Sequence, residues 1–207
     1  MRKPSSRTRR LIALSAGPIA VLVAGLLVWQ ASNGAFSSST RNPGNSWSTG
    51  NVTLTDDDTG RAGFTVANMV PGQSGEKCIK VTATSNSPGV VKAYVENLDD
   101  SAKGLEDHIK LDVTKGTGGD FDSCTGFVAD PNDLFGPQPL STLATVNHDF
   151  ATGGAPWATT GNASGESKVY KGTWTFDTTG LTQNQIDALQ GATTSIDLVW
   201  ELQNDDQ

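Results

Sequence analysis

The sequence predicts an all-β protein, an antiparallel β-sandwich with one or two short helices, and three observations carry that expectation. Apolar residues alternate with polar ones in several short segments. Clusters of Gly, Pro, Asn, Asp and Ser separate those segments. Helix signals in the part after the N-terminal apolar run are confined to two short stretches, near Leu140–Val146 and at 180–191.

In chain order, "NVTLT" (51–55) and "RAGFTV" (61–66) are the first strand candidates, with Asp58-Thr59-Gly60 as a turn between them. Pro71-Gly72 precedes "EKCIKVTAT" (76–84), in which Ile79, Val81 and Ala83 oppose Cys78, Lys80 and Thr82. After the turn at Ser87-Pro88-Gly89 come "VVKAYVEN" (90–97) and "HIKLDV" (108–113). In "SKVYKGTWTF" (167–176), Tyr170, Gly172, Trp174 and Phe176 share a face. The clearest alternation closes the series: in "TTSIDLVWELQN" (193–204), Ile196, Leu198, Trp200 and Leu202 alternate with Asp197, Val199, Glu201 and Gln203. Seven or eight such strands are the number a sandwich needs. Two regions break the pattern. "GLTQNQIDALQG" (180–191) has Thr182 and Gln185 spaced as a capping box and ends at Gly191, which predicts a short helix. Residues 116–167, rich in Gly, Pro, Asp, Ser and Thr, read as a long connection or insertion with a short helix near Leu140–Val146.

The N-terminal segment predicts export. Five basic residues and no acid lie between Met1 and Arg10, and the next 19 residues, Leu11–Trp29, carry no charge. The run is long enough to span a bilayer. Against an uncleaved anchor, Ser32 and Gly34 are small residues at the −3 and −1 positions of a cut between Gly34 and Ala35. Residues 1–34 are therefore expected to be a signal peptide and 35–207 a single domain, secreted and cell-surface associated, meeting the membrane only through the signal segment.

Residues 31–207 hold all 22 acids and 10 of the 15 basic residues, a net charge of −12. Such a surface repels nucleic acid and anionic lipid. The two cysteines, Cys78 and Cys124, lie in the exported part, where disulfides persist, so a single bridge between them is expected.

Catalytic signals are few. The chain lacks H-E-x-x-H, G-x-S-x-G, C-x-x-C and a phosphate-binding Gly loop. His108 has Glu106 and Asp107 beside it and His148 has Asp149, the minimum from which a zinc site could be built. On a strand, however, adjacent residues face opposite sides. Asp56, Asp57 and Asp58 could hold a hard cation such as Ca²⁺, but the expected reading is a solvated hairpin turn. No catalytic residue, cofactor or metal is expected, and the protein reads as a non-enzyme.

The order "AFSSSTRNPGNSWSTGNVTLTDDDTG" followed by "FTVANMVPGQSGEKCIKVTATSNSPGVVKAYVE" resembles the TasA/camelysin family of secreted bacterial proteins. The likeness rests on Ala35-Phe36-Ser37 just after the apolar run, on "WSTGNVTL", on "VPGQSGEKCIKVT" and on the closing "SIDLVWELQN". It covers roughly residues 11–97 and 168–204. The Cys78/Cys124 pair and the 116–167 segment depart from the family pattern. The resemblance implies a jelly-roll-like sandwich and a biofilm-matrix or fibre-type subunit, exported through a dedicated signal peptidase and associating with itself or with other matrix proteins. It further implies that the segment beginning at Ala35 and Phe36 is a donor strand added to the next subunit. Pro43 cannot donate to a ladder, so about six residues are available for this. Camelysin attaches a metallo-endopeptidase label to the family, the alternative activity. A further alternative is a monomeric surface-tethered module that binds through the 116–167 loops, with Trp157 and Phe135 as its apolar contacts. The end "WELQNDDQ" has no LPxTG-like motif, so attachment is expected to be non-covalent.

Overall fold

A computed structural model describes residues 37–41, 45–46 and 52–204, with side chains from 52 onward except at 132–134. The expected signal segment, the cut between Gly34 and Ala35, and the donor residue Phe36 lie outside the described residues.

Ten strands form two sheets. They are β1 (Ser37–Arg41), β2 (Asn45–Ser46), β3 (Val52–Asp56), β4 (Ser74–Ser85), β5 (Gly89–Asp100), β6 (Ile109–Thr117), β7 (Val128–Pro139), β8 (Gly154–Thr159), β9 (Glu166–Phe176) and β10 (Thr194–Asn204). A 3₁₀ turn at Leu105–Asp107 and two short helices, α1 (Leu140–Val146) and α2 (Gln183–Ala188), complete the described elements. The first sheet runs β2-β1-β10-β5-β8 and the second β3-β4-β9-β6-β7. Every pairing is antiparallel.

The pairing is nested. β6 pairs with β7, β5 with β8, β4 with β9 and β1 with β10, as in one long hairpin wrapped so that its arms alternate between two sheets. That is the jelly roll, with β2 and β3 added at the edges. The period-two pattern explains how the layers close. Ile79, Val81 and Ala83, then Val91, Ala93 and Val95, then Leu111 and Val113 turn inward and are buried, as do Tyr170, Trp174 and Phe176 opposite Trp200 and Leu202. Trp200 is fully enclosed, its ring 5.6 Å from that of Tyr170 in the facing sheet. Two polar links also cross the sandwich to β8: the Tyr170 hydroxyl donates to Ala155 O, and inward-facing Lys115 donates to Pro156 O.

Three expectations need correction. The 116–167 segment is no mere insertion, because it supplies β7, α1 and β8, two of the eight jelly-roll strands. Pro131, Pro137 and Pro139 in β7 and Pro156 in β8 disguise them, yet both strands are sheet edges, where a residue without an N–H is tolerated. Second, "RAGFTV" is not a strand: β3 pairs directly with β4, and residues 61–73 form an irregular connection between them. Third, Trp157 and Phe135 are 5% and 3% exposed and belong to the core, which removes them as loop contacts for a partner. α1 stands where the sequence placed it, and α2 begins on the expected box, with the Thr182 N–H donating to Gln185 Oε1 at 2.9 Å.

Candidate functional site

The site grows from the way β10 is flanked. Along one side it pairs with β5 from Thr194 to Asn204. Along the other, β1 covers only Val199 to Gln203, with Ser37 opposite Gln203 and Arg41 opposite Val199. Among the described residues, Thr194–Leu198 therefore has one edge without a ladder partner. A strand edge of this kind is a template for another chain.

Beside that edge is a cavity of about 310 Å³ between the sheets. Its floor is Leu111 and Trp174 of the second sheet, and Ile196 and Leu198 form its β10 wall. The irregular connection supplies the opposite wall through Phe64, Val66 and Met69. Phe64 sits there because Gly172 has no side chain: a Cβ on Gly172 would lie 3.2 Å from the Phe64 ring. Phe64 and Val66 are each 37% exposed and Val70 60%, unusual for apolar residues that alternate as in a strand. From Ala62 to Met69 the backbone makes no hydrogen bond to another described backbone group.

The disulfide steadies the near end of this connection. Cys78 points to the outer face of β4 and is bonded to Cys124, and the loop carrying Cys124 brings Phe121 against the start of the 61–73 segment. The Phe121 ring lies 3.9 Å from Lys77 Nζ and 4.3 Å from Arg61 Cζ. The aspartate run takes part as well. Asp57 accepts from the Lys80 N–H at 2.8 Å and from the Phe121 N–H at 2.9 Å, pinning the loop to β4.

Asp58 is completely buried, so the run is not the solvated turn expected of it. Its Oδ1 accepts from the Gly60 N–H, and its Oδ2 has no hydrogen-bond partner among the described residues. Burial raises its pKa from 3.8 to about 6; a hydrogen bond that the protonated Asp58 carboxyl donates to Asp56, together with the charges of Asp56 and Asp57, adds to the rise, against the Gly60 bond. The native state therefore binds the proton more tightly than the unfolded chain. Below pH 4 the two states are equally protonated, stability falls as pH rises from about 4 to 6, and the full penalty applies above 6. Asp58→Asn, which keeps the Gly60 bond, is expected to stabilise the protein at pH 7 by about 1–3 kcal/mol. Thermal melts from pH 4 to 8 check this, since the variant's Tm should fall less across pH 4–6 than the parent's.

The residues considered for metal do not form a centre. His108 ends the 3₁₀ turn before β6, and His148 follows α1 with its Nδ1 3.0 Å from Thr145 O. Among the described residues no three His, Cys, Asp or Glu side chains converge to hold an ion, including those of the Asp56–Asp58 run. The chain matches no protein-family model, and no curated protein aligns with it significantly. The apolar alternation of 61–66 belongs to a segment that lines the cavity without joining a ladder.

Proposed function

We propose that this is a secreted structural protein of the cell surface or extracellular matrix, a fibre-type subunit of the biofilm-matrix kind that assembles by N-terminal donor-strand addition. One observation carries the reading. The first described residues beyond the expected cut, Ser37–Arg41, form a strand near the sheet edge that pairs, among the described residues, with β10 and the two-residue β2. Such a strand can leave its own subunit at the cost of one ladder, and the β10 edge it vacates is the same edge it would meet on a neighbour. The contact is head-to-tail and does not close, so repetition gives a filament. The likeness of the N-terminal and C-terminal segments to the TasA/camelysin family supports the same conclusion. The disulfide is compatible with an extracellular setting. Attachment to the cell would then run through other subunits or matrix proteins.

Deleting residues 35–40 from the mature protein tests the reading. Filaments, scored by negative-stain microscopy, are expected to disappear while circular dichroism still reports a folded β protein. Filaments of normal abundance from the deleted chain would overturn the proposal.

A further inference from the structure

Resting on the fibre reading above, we infer that the cavity beside Phe64 receives Phe36 of a second copy, whose residues 35–40 pair antiparallel with Thr194–Val199. The cavity wall gives the first reason. Five consecutive residues, Thr194–Leu198, line it. Neighbouring residues of a strand face opposite sides, so such a wall is the strand's edge and not one of its faces. A guest that follows this wall is itself an extended chain. On the far side, Ala62–Met69 offers backbone groups without backbone partners among the described residues, so a strand laid between the two walls can bond to both.

Size and chemistry give the second reason. An apolar cavity of about 150 Å³ already takes a benzene ring, and this one is about 310 Å³ with Trp174, Leu111 and Ile196 around it. Phe36 is the single large apolar side chain among residues 35–40, the rest being Ala, Ser and Thr. The available length also fits: six residues precede Arg41 and the Pro43 interruption, and six positions run from Thr194 to Val199.

Register gives the third. Within one chain Ser37 pairs with Gln203, at the end of β10 remote from the cavity. A slide of six residues brings Phe36 opposite Leu198. Because six is even, the slide keeps inward positions inward: the places opposite Trp200 and Leu202 in one register lie opposite Thr194 and Ile196 in the other, and a residue set opposite Leu198 shares the inward face of Leu198, Trp200 and Leu202. In a filament each subunit has given up its own β1, so Val199 is open to the incoming Ala35. The swapped strand is thus not a copy of the intramolecular pairing, which runs from Val199 to Gln203; it lies along Thr194–Val199 and enters deeper, beside the cavity.

The test is photo-crosslinking of the mature protein carrying Phe36→p-benzoylphenylalanine, irradiated after assembly, with the adducts mapped by mass spectrometry. Adducts to Phe64, Met69, Ile196 or Leu198 of the neighbouring copy are expected. Phe36→Ala should slow filament growth by about tenfold or more, the size of effect seen when an interface anchor is removed. Filaments whose adducts lie instead at Gly89 or Asn204, or that give none at the four cavity residues, overturn the deeper register and leave the fibre reading standing. Absence of filaments together with absence of any adduct between copies overturns both.

Discussion

Replacing Cys78 and Cys124 together by alanine is expected to lower stability by about 4 kcal/mol, the chain-entropy value for a bridge across 46 residues. In a chain of this size that is a fall of roughly 10 °C in Tm. The bridge ties β4 of the second sheet to the loop that carries Phe121, and that loop holds Arg61 and Lys77 against its ring. Cys78 is fully buried, so alanine also leaves a small void beneath the loop. Loss of the bridge should therefore reach the cavity wall. Exchange of the Arg61, Lys80 and Phe121 amides, which are bonded to Asp58 O and to the Asp57 carboxylate, is expected to quicken in the double variant or after reduction, while exchange in β5 and β10 changes little. A Tm within 2 °C of the parent, in the same buffer, would show that the loop is held without the bridge.

Trp200→Ala is the second large effect, with an expected cost of about 3–5 kcal/mol for emptying a fully enclosed indole site. Trp200 lies at the middle of β10, paired with Ala93 on one side and Thr40 on the other, and its ring faces Tyr170 of the opposite sheet. Its removal loosens both layers and β10 itself. The indole Nε1 has no hydrogen-bond partner among the described residues. Trp200→Phe gives up no hydrogen bond and keeps an aromatic ring, so its cost should stay under about 2 kcal/mol. Urea melts of the two variants decide the matter. Equal costs would mean that ring volume is not what holds the two sheets together.

Alternation told most of the fold in advance, because half-buried antiparallel strands write their two environments directly into the sequence. β4, β9 and β10 were legible for that reason, down to the inward set of Tyr170, Trp174 and Phe176. β7 and β8 were not, since proline tolerated at an edge looks locally like proline in a loop, and their edge position depends on long-range pairing. The opposite error occurred at 61–66. Phe64 and Val66 alternate as strand residues do, but the ladder beside β4 is already taken by β3. Of the proposed site, the donor segment rests on its place after the apolar run alone. The cavity is not legible in the sequence, because it joins residues from five separate parts of the chain, from Ala62 to Leu198. Asp58 was misjudged on composition: three adjacent carboxylates suggest solvent, whereas one of them is buried and another caps two backbone N–H groups.

The most direct test of the central claim is the intact mass and N-terminal sequence of the protein recovered from the producing cell's medium and surface, with negative-stain imaging of the same fractions. The account predicts a chain that begins at Ala35 and is found in filaments. A chain that keeps Met1–Trp29 and stays monomeric in the membrane fraction would contradict it.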